Sequence, residues 1–276
     1  MMEAMPPPLP EPKPARALNL PLQARNVSLG RPLRWLALGA RDLARAPVPG
    51  LSHGLTLALF GAALFMLAQH QFWLLAGAFS GFLLVSPVLA TGLYAVSRAL
   101  ERGHAPGGMA MMGVAVRALW PRGTTARRLM RFGALLALAG SGWVLTSASL
   151  VTWFAPGLVN NPADFLRHVV LAESGWLFEG WVLLGGVLAA PVFASSVVAI
   201  PLLLDRPVTV LAAVLTSWRV VLANPLALAL WALLIMSLTA LGMATLLIGL
   251  VPIVPWLAHA SWHAYRDCVA PADAQA

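Results

Sequence analysis

Charge is what this chain has least of. Only 10% of its 276 residues are Asp, Glu, Lys or Arg, where a water-soluble domain carries about 25%. So few charges cannot cover a water-facing surface, and much of the surface must face lipid. Lysine is nearly missing: Lys13 stands alone, and every other basic residue is arginine. Acids number ten against eighteen basic residues. The single cysteine, Cys268, excludes an intramolecular disulfide framework. No phosphate loop, dinucleotide fingerprint, HExxH or nucleophile motif stands in a workable context. No nucleic-acid-binding motif accompanies the net charge of +8, so a nucleic-acid partner is not expected. Ser52–His53 and Ser261–His263 are neighbours in sequence, which does not make catalytic dyads.

Long apolar runs are what is there. A helix crossing a bilayer needs roughly 20 apolar residues. Runs of that kind occupy 51–69, 73–98, 129–154 and 176–204, the last long enough to tilt or kink at Pro191. A short polar turn at Gln69, His70 and Gln71 divides the first two. The stretch 226–266 is about twice a bilayer core at 1.5 Å per residue. It divides into two spans, with a turn in 244–251 near Gly249. The chain therefore reads as an all-α polytopic membrane protein with about six transmembrane helices, or five plus a re-entrant segment. Residues 1–32 read as a disordered, proline-rich cytoplasmic tail rather than a signal peptide. The transmembrane domain covers 33–268, and 269–276 form a short disordered tail.

Arginine sets the topology. With six spans, all basic residues but Arg167 fall on one side, seventeen against one. That asymmetry predicts a multi-pass protein of the inner membrane with both termini in the cytoplasm.

A short pattern recurs. "PVLATGLYAVSR" begins at Pro87, "PVFASSVVAIPL" at Pro191 and "PWLAHASWHAYR" at Pro255. The first and third place an arginine, Arg98 and Arg266, eleven positions after the proline. Each segment lies in the second helix of a pair, and each pair follows a more amphipathic stretch: 33–45 with Trp35, 109–120 with Trp120, and 207–222 with Trp218. A threefold internal repeat is the reading, over about 33–103, 109–205 and 207–267. In the first amphipathic stretch Arg34, Arg41 and Arg45 share one face, while Leu36, Ala40 and Leu43 share another. Such a helix lies in the headgroup plane with its arginines on anionic lipid. Trp35, Trp120, Trp218, Arg98 and Arg266 are expected as interfacial anchors.

Ionisable residues inside a membrane are costly and mark sites to inspect. His259 and His263 stand i, i+4 on one helix face, with Arg266 and Asp267 continuing it, and His53 lies in the same leaflet. Three readings follow. The histidines bind a metal ion or haem, hydrogen-bond between helices, or relay protons. Arg266 and Asp267 read as an anchor with a local ion pair. Asp205 reads as an N-cap for the third amphipathic helix, and Glu173 and Glu179 flank the far mouth of the fourth span. The small residues at 77–81, 140–142 and 185–186 read as helix-packing positions.

Four stretches, "ARDLARAPVPGLSHGLTLALFG" (40–61), "SGFLLVSPVLATGLYAVSRALERG" (80–103), "VVAIPLLLDRPVTVLAAVLTSWRVVLANP" (197–225) and "LTALGMATLLIGLVPIVPWLAHASWHAYRD" (238–267), carry a resemblance. Over roughly 33–268 the chain resembles a bacterial family of predicted integral membrane proteins catalogued as a domain of unknown function, number 2189. The resemblance implies an inner-membrane protein with several helices, and neither a reaction nor site residues. The expected function is a non-enzymatic membrane-organising or accessory role through membrane lipids, other membrane proteins or a homo-oligomer. Two alternatives stand beside it: a metal- or haem-binding protein using His259 and His263, and a small-solute transporter. A transporter predicts a polar-lined central cavity; a scaffold predicts a filled core.

Overall fold

The structure is a computed structural model that describes residues 19–68, 90–104, 108–119, 123–172 and 175–271. Among the described residues its regular elements are helices, and Ala24 and Val269 form an isolated antiparallel bridge. Helix α1 (Arg31–Arg45) starts with a proline in its first turn, where the missing N–H costs nothing, and stops two residues before Pro47. Next come α2 (Pro47–Ala68), α3 (Thr91–Glu101), α4 (Gly108–Leu119) and α5 (Gly123–Phe154). A short α6 (Pro162–Phe165) runs into a π-helical turn at Leu166–Val170. Then follow α7 (Trp176–Ser196), α8 (Ala199–Asp205), α9 (Val210–Ala223), α10 (Pro225–Ala244) and α11 (Leu250–Cys268).

Four stretches are long and apolar enough to cross a membrane: Pro47–Met66, Gly123–Phe154, Trp176–Asp205 and Pro225–Ala244. They match the first, third, fourth and fifth expected spans. Most of the second, including 77–81 and Pro87, lies outside the described residues. The sixth is α11, which has the length at 19 residues but not the composition. Its position explains why. It runs through the middle of the bundle, packed on α1, α2, α3, α8 and α10, so its polar side chains face protein rather than lipid.

The turn expected near Gly249 is there. α10 ends at Ala244, and Leu246 and Leu247 take φ of 53° and 70°. That left-handed backbone is costly for leucine. The Thr245 hydroxyl helps hold the turn by accepting the Gly249 N–H at 2.8 Å. The long fourth span breaks at Val197–Val198 rather than at Pro191. The Ser196 hydroxyl donates back to the Val192 carbonyl at 2.7 Å, a contact that bends helices. The Val198 N–H is picked up by Ser217 Oγ at 3.4 Å.

Close approach onto α11 depends on two glycines. A Cβ on Gly39 of α1 would lie 2.6 Å from the Ala260 nitrogen, and one on Gly54 of α2 would collide with the Val251 carbonyl. The core between the helices is filled by large side chains, with Trp35, Trp231, Trp262 and Tyr265 all fully buried.

Both terminal assignments need correction. Residues 19–32 are not disordered. Leu22 is buried and its N–H bonds Thr216 Oγ1 at 2.9 Å. Asn224 accepts from Val27 N–H at 2.7 Å and donates to the Arg25 carbonyl at 3.0 Å. Val269 and Ala270 are also buried, with the Ala270 N–H on the Gln23 carbonyl. Proline content reports local preference, whereas these bonds join residues nearly 200 positions apart. Residues 1–18 lie outside the described part.

Candidate functional site

The polar face of α11 meets an acid from each of three other helices. On the innermost level, His259 Nδ1 lies 2.8 Å from Ser97 Oγ on α3. Ser97 in turn donates to Asp42 Oδ2 on α1 at 2.8 Å. One turn along, His263 Nε2 bonds the same Asp42 oxygen at 2.9 Å. Next, Trp262 Nε1 and Arg266 Nε donate to the two oxygens of Glu101 on α3, at 3.1 and 2.9 Å. Tyr265 donates its hydroxyl to Asp205 Oδ2 at 2.8 Å, at the end of α8. Asp267 faces α1, accepting from the Trp35 indole at 2.8 Å and pairing with Arg31 at 3.1 Å.

The proton inventory fixes what the innermost level can do. A serine hydroxyl has one proton, and here it is committed to Asp42. His259 must then donate Nδ1–H to Ser97, so its neutral ring leaves Nε2 bare. That nitrogen is buried without a partner, as is Nε2 of His53 on α2. A Cβ on Gly50 would sit 3.8 Å from His259 Nε2. Ser97 is therefore not a nucleophile served by a base, because His259 gives it a proton instead of taking one. Burial pushes the Asp42 carboxyl up. The hydrogen bonds from His263 and Ser97 outweigh burial and hold it below the ordinary carboxylate value.

Of the three readings for the histidines, the geometry displays hydrogen bonds between helices. His259 and His263 take different oxygen partners. Among the described residues no group of three or more His, Cys, Asp or Glu side chains is placed to hold a metal ion. Arg266 and Asp267 do not pair locally: each finds its partner on another helix. Asp205 is not an N-cap; Thr209 caps α9 by accepting from the Ala212 N–H. Asp205 instead ends α8 within 4.0 Å of the guanidinium groups of Arg98, Arg102, Arg206 and Arg266. The two arginines at matched places after their prolines thus converge on one carboxylate.

Trp35 is not an interfacial anchor. It is fully buried, stacked edge-on against Trp231 at 5.6 Å. The buried stripe of α1 is Pro32, Trp35, Leu36, Gly39 and Asp42, and Ala40 is exposed. Arg34, Arg41 and Arg45 lie on the exposed side and take no ion-pair partner among the described residues. Trp218 is partly exposed, with its indole on Ser195 Oγ at 2.9 Å. Trp120 and Glu173 lie outside the described residues. Of the small-residue positions, Gly185 packs on Trp143, while Gly142 and Gly186 meet nothing.

Sequence reasoning missed Asp42, Ser97, Glu101 and Tyr265. The available signal was the cost of isolated charge. An Asp or Glu within or at the end of an apolar helix needs a partner, and α11 carries a concentrated set of donors.

Among the described residues the interior is filled by Trp35, Trp231, Trp262 and Tyr265, all fully buried. A groove of about 710 Å³ opens at the side instead, between α5 and α7, with a mainly apolar lining.

Helices long enough to span, lipid-sized apolar faces and a polar network turned inward define a helical polytopic integral membrane protein. Residues 74–205 match the model of a family described as predicted integral membrane protein (DUF2189). The first and last of the four resembling stretches lie outside the matched residues. No curated protein and no solved structure matches the chain.

Proposed function

We propose that this chain is a non-enzymatic membrane-organising or accessory protein that works through lipid contacts. One observation carries the reading. Arg34, Arg41 and Arg45 stand exposed along α1 while the opposite face of that helix is fixed to α11. The helix is thus a rigid bar presenting three unpaired cations, each worth about 1 kcal/mol against an anionic leaflet. The filled core and the serine committed to Asp42 support a non-catalytic role. The same proposal places the chain in a bacterial inner membrane with cytoplasmic termini, on the seventeen-to-one division of basic residues.

The test is the full-length protein in nanodiscs of mixed phosphatidylglycerol and phosphatidylcholine, with spin-labelled lipid reporting selectivity. Reversing all three charges (Arg34→Glu, Arg41→Glu, Arg45→Glu) is expected to remove the preference for phosphatidylglycerol around α1. An unchanged preference sinks the reading.

A further inference from the structure

We propose that the lateral groove between α5 and α7 is a binding site for one anionic phospholipid, its phosphate on Arg127 and Arg131 and one acyl chain along the groove. This deepens the lipid reading above and rests on it for the membrane setting, but it uses a different face of the molecule.

Three observations meet here. First, α5 has 32 residues, about 48 Å at 1.5 Å each, against a hydrocarbon core of about 30 Å. The surplus lies at the arginine end, since the apolar part begins at Phe132 and runs to Phe154. Arg131 therefore stands at headgroup level.

Second, the arginines divide by use. Arg128 is turned inward, donating to the Val208 carbonyl at 2.7 Å. Arg127 and Arg131 are exposed and carry no hydrogen bond or ion pair among the described residues. Two guanidinium forks at the headgroup boundary match a phosphate in charge and geometry.

Third, the groove begins little more than one turn below Arg131. It runs along α5 from Leu136 to Thr146, about 15 Å at the helical rise. That is half the hydrocarbon thickness, or one leaflet. Its walls include Leu136, Trp143, Trp181, Leu188 and Phe193. Arg131, Leu135, Ala139, Gly142 and Thr146 follow one another at steps of three and four, so the arginine and the groove share a side of the helix. The Trp181 indole donates to Ser147 Oγ at 2.7 Å. That indole N–H is thereby satisfied within the wall, and the lining is mainly apolar.

Gly142 makes the site testable without unfolding it. It lines the groove, and a Cβ there meets nothing within 4 Å. Gly142→Leu fills the groove and favours the helix. Native mass spectrometry of the full-length protein, released from nanodiscs of equal phosphatidylglycerol and phosphatidylcholine, reads the lipids retained. Gly142→Leu is expected to retain one phospholipid fewer. Arg127→Gln with Arg131→Gln is expected to cut the phosphatidylglycerol preference of the retained lipid at least about fivefold, the weight of a single surface arginine. The proposal is overturned if Gly142→Leu retains the same lipids, or if the arginine pair leaves the preference intact. It is also overturned if Gly142→Leu splits a dimer without changing lipid, since a second copy would then be the occupant. Failure of the α1 charge reversal with loss of lipid in Gly142→Leu would discard the α1 reading and keep the groove.

Discussion

Replacing Ser97 with alanine tests the inner polar network most directly, because almost nothing else changes. The residue is buried, and alanine removes one oxygen without opening a cavity of any size. Two consequences follow from the geometry. Asp42 loses a hydroxyl donor at 2.8 Å, a hydrogen bond to a charged group worth roughly 1.5–3 kcal/mol. His259 loses the acceptor for Nδ1–H, so a fully buried ring has neither nitrogen satisfied, at roughly 1–3 kcal/mol. Polar contacts in membrane proteins fall at the low end of such ranges, and alanine regains about 0.5 kcal/mol of helix propensity. The net is a loss of about 2–4 kcal/mol. For a chain of this size that lowers Tm by roughly 5–15 °C, read by tryptophan fluorescence in detergent. Ser141→Ala is the control: that hydroxyl is exposed and bonds only its own helix, at the Ala137 carbonyl. Adding Ser97→Ala to a His259→Phe background should cost less than adding it to the parent, because both act on one network. If Ser97→Ala melts with Ser141→Ala, the proton assignment is wrong and His259 is held by something other than Ser97.

Gly39→Ala should lower stability by about 1–3 kcal/mol in a chemical melt, because backbone of α11 lies where the new methyl must go. Gly30→Ala, where a Cβ meets nothing, should leave the midpoint unchanged. Asp42 titrates below its ordinary value in the folded chain. Its contribution is therefore complete above the unfolded carboxylate pKa of about 4 and is lost as pH falls through the lower folded value. The groups facing it are Ser97, His259 and His263, and Asp42→Asn should flatten the stability profile below about pH 4. A profile of unchanged slope would place the acid sensitivity elsewhere. Asn224→Ala should free residues 19–30, since that side chain holds both Val27 and Arg25. Limited proteolysis should then cut near Arg25 while the helical part stays intact, and resistance there would show that other contacts suffice.

Span length and arginine placement are local properties, so the sequence shows them well. The first, third, fourth and fifth spans, the turn before Gly249 and the exposed face of α1 could all be read from it. What escaped is whatever depends on which helices touch. Trp35 looks like an interfacial tryptophan because such residues flank spans, yet Asp267 lies 232 positions away and claims its indole. Asp205 precedes a helix and so looks like a cap. Only the convergence of α3, α8 and α11 makes it the carboxylate of four arginines. His259 and His263 were visible as a pair, but their acceptors sit on α1 and α3, and spacing along one helix carries no information about those.

The central place of α11 also has a meaning in time. Synthesis runs from N- to C-terminus, so the helix that supplies donors to Asp42, Glu101 and Asp205 emerges after every helix it joins. Until then those acids stand without these partners, and Gly39 and Gly54 face an unfilled slot. The earlier helices are thus a waiting assembly, and α11 is the keystone whose arrival turns a set of inserted segments into one body.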